Sequence, residues 1–236
     1  RLASADVHVA VTEHSPFDHQ PTRKDRITAR LAARLYPHAD DVVAVSEGVA
    51  TTVVEQTGVS ADGTTVLHNP VDIETIRAGT REPVDNAWLD EPSLEPIVAV
   101  GRLKASKDFA TLLRAFATLH DRRPATRLVI VGKGTERERL ETLADELGVA
   151  DAVAFPGYTD NPYAYMHRGS VFVLPSKAEG LPTVLIEALA CGCAIVSTDC
   201  EYGPREILGD GDYGRLTPVG DAERMAETIE LTLDDP

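Results

Sequence analysis

The sequence predicts an α/β protein built on Rossmann-like parallel sheets, and three observations carry that prediction. Short apolar runs such as Ile97–Val100, Leu128–Val131 and Val171–Leu174 recur along almost the whole chain, and runs of that length suit strands covered on both faces. Longer stretches with helical spacing lie between them, above all Phe109, Leu112, Leu113, Phe116 and Leu119. Glycine, proline or serine follows most of the apolar runs, where a parallel sheet turns into its next helix.

Taken in order, the chain opens on a strand at Val7–Val11 and a loop through Pro16 and Pro21. A helix follows over Thr22–Tyr36 and stops at Pro37, which cannot continue it. Val42–Val45 is the next strand, and Ser46 stands where an N-cap would open a helix closing near Gly58. Thr65–Leu67 is a strand that leaves through His68-Asn69-Pro70. Residues 79–96 hold Pro, Asp and Glu without a period and read as a surface excursion. The rest is cleaner. Strands at 97–100, 128–131, 153–155, 171–174 and 194–197 are interleaved with helices, of which Leu140, Leu143 and Leu147 mark one. A last helix spans Asp221–Leu233.

Composition narrows the function. A hydrophobic fraction of 43% over 236 residues supports a sizeable core. No apolar run approaches the roughly 18 residues of a membrane-spanning helix. The net charge of -15 argues against nucleic acid as the main partner. Cys191, Cys193 and Cys200 are odd in number and lack zinc spacing with histidine, so they read as small buried fillers in a reducing compartment.

In an open parallel sheet, ligands bind beyond the carboxyl ends of the strands. Here those ends read Gly101-Arg102, Gly132-Lys133-Gly134, Gly157-Tyr158, Pro175-Ser176 and Thr198-Asp199. Glycines there let a backbone approach a ligand, and helix N-termini beyond them favour anions. Gly132-Lys133-Gly134-Thr135 lacks both the P-loop frame and the third glycine of a dinucleotide fingerprint. Arg102 and Lys107 could clamp a diphosphate; the same pair would also suit a solvated loop. In Glu179-Gly180-Leu181-Pro182-Thr183-Val184-Leu185-Ile186-Glu187, a loop carboxylate, a helix start and a second carboxylate one turn on converge. Carboxylates suit sugar and ribose hydroxyls, and free backbone N–H groups suit phosphate. An ordinary amphipathic helix with a solvated Glu187 remains the alternative.

With these segments in view, the sequence resembles the retaining glycosyltransferases of family 4, which have the two-domain GT-B fold. Glu179 and Glu187 match that family's Glu-x7-Glu motif, and Val100-Gly101-Arg102-Leu103 with Lys107 matches its Gly-Arg…Lys motif. Val45-Ser46-Glu47-Gly48-Val49, His68-Asn69-Pro70-Val71-Asp72, Val131-Gly132-Lys133-Gly134 and Gly203-Pro204-Arg205-Glu206-Ile207-Leu208 follow in family order. The resemblance implies transfer of a sugar from a UDP-, GDP- or ADP-sugar with retention, and no required cofactor or metal. It implies that Arg102 and Lys107 hold the diphosphate and that Glu187 holds the ribose. Glu179 would hold the sugar hydroxyls with the N–H groups of Gly180 and Leu181. Gly101, Gly132, Gly134, Pro182 and Thr183 complete the donor site, and His14 matches an active-site histidine of the N-terminal domain.

The resemblance also divides the chain. Residues 1–68 correspond to the second half of the N-terminal, acceptor-side domain, and 69–236 to a complete or nearly complete C-terminal nucleotide-sugar domain. Turnover by this piece alone is expected to be poor or absent. A non-catalytic nucleotide-sugar module needing a partner chain is the rival reading, and a GT-B epimerase or phosphorylase the enzymatic one. The base is expected near Phe155–Tyr158. The acceptor is expected to be a glycan, a lipid-linked or a small molecule, reached in the cytoplasm or at the cytoplasmic face of a membrane. Arg23, Lys24, Arg26, Arg30 and Arg34 make the helix at 22–36 a local basic feature that could meet anionic lipid. The plainer expectation is that its stripe of Ile27, Leu31 and Leu35 packs on the sheet.

Overall fold

The computed structural model describes residues 7–17 and 23–236, with side chains of the second stretch from Arg26 onward. Thr22, and the side chains of Arg23 and Lys24, therefore lie outside the described residues. The chain forms two compact units. The smaller holds residues up to Pro70 with two strips from far along the sequence, Glu179–Pro182 and Glu201–Glu206. The larger holds Val71–Ala178, Thr183–Cys200 and Ile207–Pro236. A division at residue 68 makes each part continuous in the chain, whereas these units interleave.

In the smaller unit, β1 (Ala10–Glu13), β2 (Asp41–Ala44) and β3 (Thr64–Val66) form a parallel sheet in that order. Pairing with β2 starts only at Ala10, so β1 lies three residues later than the apolar run at Val7 suggests. Helix α1 (Arg23–Leu35) and helix α2 (Glu47–Thr57) link the strands. Ser46 caps α2 by accepting from the Val49 N–H at 3.2 Å, and Gly58 ends it at φ 73°, a conformation glycine adopts without a Cβ clash. The expectation for α1 fails. Ile27, Leu31 and Leu35 are 51%, 53% and 59% exposed, while Ala32 is buried. The helix packs on α2, and its apolar stripe is exposed.

In the larger unit the chain runs α3 (Ile73–Gly79), β4 (Glu95–Val100), α4 (Phe109–Arg122), β5 (Thr126–Val131), α5 (Arg137–Glu146) and β6 (Val153–Gly157). It continues with α6 (Tyr163–Arg168), β7 (Val171–Leu174), α7 (Thr183–Ala190), β8 (Ala194–Thr198), β9 (Arg215–Thr217) and α9 (Ala222–Asp234); α8 (Pro204–Ile207), between β8 and β9 in the chain, belongs to the smaller unit except for Ile207. The strands form one parallel sheet in the order β6-β5-β4-β7-β8-β9. Alternate side chains of each strand feed opposite cores. Ile97 and Ala99 of β4 pack with α4, α5 and α9, whereas Val98 packs with α3, α6 and α7.

Candidate functional site

The order of the larger sheet creates a switch point. From β4 the chain builds outward through β5 to β6, then returns to place β7 on the other side of β4. The helix after β4 covers one face and the helix after β7 covers the other, because α4 belongs to one core and α7 to the second. The loops leaving these neighbouring strands therefore diverge and open a crevice, the position at which ligands bind in open α/β sheets. The Gly101–Lys107 segment forms one bank, and Thr183 and Glu187 belong to the other.

Arg102 is exposed, and its guanidinium makes no hydrogen bond or ion pair among the described residues. Lys107 ends a short 3-10 turn, and its Cδ and Cε lie 3.8 Å from the place a Cβ on Gly101 would take. The lysine stem thus runs back toward the strand end that carries Arg102. Asp108 follows in the left-handed region, at φ 48° and ψ 39°, and is buried. Sequence reasoning missed it, because no pattern marks a left-handed aspartate.

Glu187 lies in the second turn of α7, which begins at Thr183, so Pro182 precedes the helix instead of opening its first turn. Its carboxylate makes no hydrogen bond or ion pair among the described residues, and burial raises its pKa above the ordinary glutamate value. Its charge adds to burial in raising the Tyr163 hydroxyl, and in pushing the Cys191 thiol up to about 11. A half-buried carboxylate is favoured in its charged form by a group that donates to it.

Gly132 and Gly134 are glycines for a packing reason. A Cβ on either would collide with backbone, with the Gly101 carbonyl in one case and the Leu103 carbonyl in the other. The Leu103 N–H donates to Lys133 O at 3.0 Å, so the loops after β4 and β5 lie backbone to backbone. At the expected base region, Phe155 O already accepts from Arg137 at 2.8 Å, and Gly157 O from the Gly132 N–H at 2.8 Å. The Tyr158 ring is exposed beneath Lys133 Nζ, 4.4 Å from its centroid. Asp210-Gly211-Asp212 forms a turn with φ 58° at Asp210, and no group of three potential metal ligands occurs among the described residues.

The remaining residues that the sequence predicts for the site belong to the smaller unit. His14 follows β1 and is exposed, and its carbonyl lies where a Cβ on Gly180 would go, so the Glu179–Pro182 strip passes directly against it. Ser46, fully buried, donates from Oγ to Gly180 O at 3.0 Å while capping α2. Glu206 meets the Glu47 N–H at 3.4 Å and His68 at 2.9 Å, and the Tyr202 ring fills the space a Gly48 side chain would need. Segments that the sequence marks only by their order are thus brought together around the start of α2. A cavity of about 480 Å³ lies between the end of β1, α1 and α2, with Glu13, Phe17, Arg26 and Arg30 on its wall. Glu13 there accepts from the Tyr36 hydroxyl at 2.9 Å; burial and this carboxylate push the phenol up to about 12.

A six-stranded parallel sheet with a cation and a half-buried carboxylate at its switch point, in a chain that also forms a second parallel-sheet unit, matches the GT-B class of fold. Comparison with known proteins gives the family. The model for "Glycosyl transferases group 1" matches residues 86–236, and that for "Glycosyltransferase Family 4" matches residues 1–75. The chain belongs to the glycosyl transferases of group 1, with a family 4 segment ahead of the matched region. Among curated relatives, the N-acetylgalactosamine-N,N'-diacetylbacillosaminyl-diphospho-undecaprenol 4-alpha-N-acetylgalactosaminyltransferase of Campylobacter jejuni is 36% identical over 205 residues, 87% of this chain and 54% of that protein. The lipopolysaccharide core glycosyltransferase LpsE of Rhizobium meliloti is 39% identical over 153 residues, 64% of this chain and 44% of its own. The chain therefore spans about half the length of these relatives. Among solved structures, HepE of Anabaena in complex with UDP superposes with a TM-score of 0.82 at 22% identity, over 97% of this chain and 63% of that one. Sucrose-phosphate synthase of Thermosynechococcus elongatus gives 0.79 at 27% identity, over 96% and 59%.

Proposed function

We propose that the chain is the donor-binding part of a retaining glycosyltransferase that moves a sugar from a nucleoside-diphosphate sugar to a glycan, lipid-linked or small-molecule acceptor. The observation that carries this reading is the Arg102 cation and the half-buried Glu187 carboxylate, neither with a side-chain partner among the described residues, on the two banks of the β4/β7 switch point. Glu187 accepts from the ribose hydroxyls. Arg102 and Lys107 hold the diphosphate, with Gly101, Gly132 and Gly134 shaping the loops around it. Glu179, the N–H groups of Gly180 and Leu181, and the start of α7 at Pro182 and Thr183 serve the sugar and the nearer phosphate. As the C1–O bond to phosphate breaks, charge grows on the leaving diphosphate, and the two cations stabilise it without a metal. The acceptor hydroxyl bonds to C1 on the same face and gives its proton to the departing phosphate oxygen. His14 stands on the acceptor side.

The name of the Campylobacter relative specifies a diphospho-undecaprenol acceptor, which supports a lipid-linked one here. The outward stripe of Ile27, Leu31 and Leu35 beside the exposed Arg26, Arg30 and Arg34 supports contact of α1 with an anionic membrane surface at its cytoplasmic face. No helix among the described residues is long and apolar enough to cross a membrane.

Calorimetric titration with UDP, GDP and ADP, with and without Mg²⁺, tests the reading. One nucleotide should bind without metal, and Arg102→Ala should weaken it by on the order of 10- to 100-fold, the worth of charge-assisted hydrogen bonds. The ionised Glu187 is the form that accepts from ribose. Because its pKa is raised by burial, affinity should fall on acidification at a higher pH than an ordinary glutamate would give. Glu187→Gln should flatten that profile. The raised pKa means that this group favours the fold below the unfolded value and that the benefit is lost as pH rises through the folded one, so Glu187→Gln should melt no lower than wild type at neutral pH. Folded protein that binds none of the three nucleotides would end the proposal.

A further inference from the structure

We infer that Asp108 is a positioning residue that aims Lys107 at the diphosphate, an inference that rests on the donor-site reading of Lys107. Four observations converge on it. Asp108 is one of two non-glycine residues with positive φ among the described residues, at φ 48° and ψ 39°, where a glycine would sit with less strain. It precedes α4, yet its side chain makes no capping bond to the helix backbone. Its carboxylate, 7% exposed, instead accepts from Thr111 Oγ1 at 2.8 Å and lies 3.3 Å from Lys177 Nζ. Finally, the Lys177 N–H donates to Ser106 O at 2.9 Å, so backbone and side chain both tie the loop after β7 to the turn that carries Lys107.

The arrangement has a mechanical meaning. A left-handed residue between the turn and α4 sets the direction of the turn that carries the lysine relative to the helix. Here that direction brings its stem beside Gly101. Helix capping would not require a buried carboxylate with a hydroxyl and an ammonium as partners, and conformational freedom alone would favour glycine. What the carboxylate adds is a lock: Thr111 fixes it to α4, and Lys177 fixes it to the opposite bank of the crevice. Lys107 is thereby held in place before the ligand arrives, which lessens the ordering that binding must impose.

The test uses UDP as probe and measures affinity for wild type, Asp108→Asn, Lys107→Ala and the double variant, with thermal melts to confirm folding. Asparagine tolerates the left-handed backbone and keeps the shape, so it removes only the charge. Asp108→Asn should weaken UDP about 5- to 10-fold in the wild-type background and have little effect once Lys107 is alanine, as coupled residues do. An equal loss in both backgrounds would mark a general structural role and overturn the inference, as would unchanged affinity. A second readout does not need the nucleotide. In ligand-free protein, amine-reactive labelling of Lys107, followed by peptide mass spectrometry, should change in rate several-fold in Asp108→Asn. An unchanged rate overturns the inference, whereas a changed rate with no UDP binding to wild type would fault the donor-site reading instead.

Discussion

Strands β4 and β7 of the larger unit carry fully buried residues pointing both ways, Ile97 and Val98 on one and Phe172 and Val173 on the other. Their sheet is closed above and below by helices. In the smaller unit, β1 alternates exposed and half-buried residues, and α1 turns its apolar stripe away from the sheet. Both units bury apolar side chains, a large and non-directional gain, and in the smaller one Val42, Val45, Val49 and Val53 are buried. Around the start of α2, the smaller unit adds directional contacts: the buried Ser46 hydroxyl, the Gly180 carbonyl, and Glu206 with His68. Among the strips they gather is Glu179–Pro182, whose residues are proposed to serve the donor sugar.

The contrast can be broken most forcefully from the core. Phe116 of α4 is fully buried in the core that α4 shares with β5 and α9, and Phe116→Ala should cost about 3–5 kcal/mol in chemical denaturation. A loss under about 1 kcal/mol would mean that the larger unit does not depend on that core. Ser46→Ala removes a cap and a buried hydrogen bond together, for about 1–2 kcal/mol. Hydrogen exchange should show the loss in α2 while β4, β5 and β7 keep their protection, and uniform acceleration would erase the distinction between the units. Leu31→Ser should change stability by no more than about 0.5 kcal/mol, since the side chain is already exposed. It should nevertheless reduce co-sedimentation with anionic vesicles; a marked drop in melting temperature instead would mean that the stripe is covered.

Much of the fold was legible where periodicity is long. The spacing from Phe109 to Leu119 marks α4, and Ser46 with Gly58 brackets α2 to within a residue. The segments α3 and α6 escaped because seven and six residues complete too few turns to show a period. β9 has three residues at a sheet edge and leaves no apolar run. A stripe also says that a helix has an apolar face, not that the face finds the sheet, which is why α1 was misjudged. At the candidate site, charge and position in the chain pointed to Arg102 and Glu187. The glycines at 132 and 134 looked like room for a ligand, yet packing of neighbouring backbone explains them, and only coordinates separate those causes. Asp108 left no trace because its signature is a backbone angle.

The chain passes between the two compact units five times, after residues 70, 178, 182, 200 and 206. No single cut can therefore yield both units whole. A chimera joined at residue 70 would take most of the smaller unit from one parent and the strips carrying Gly180 and Tyr202 from the other. Its Ser46 and Gly48 would then meet unfamiliar partners, so the pairs Ser46–Gly180, Gly48–Tyr202 and His68–Glu206 must be inherited together for such a hybrid to fold.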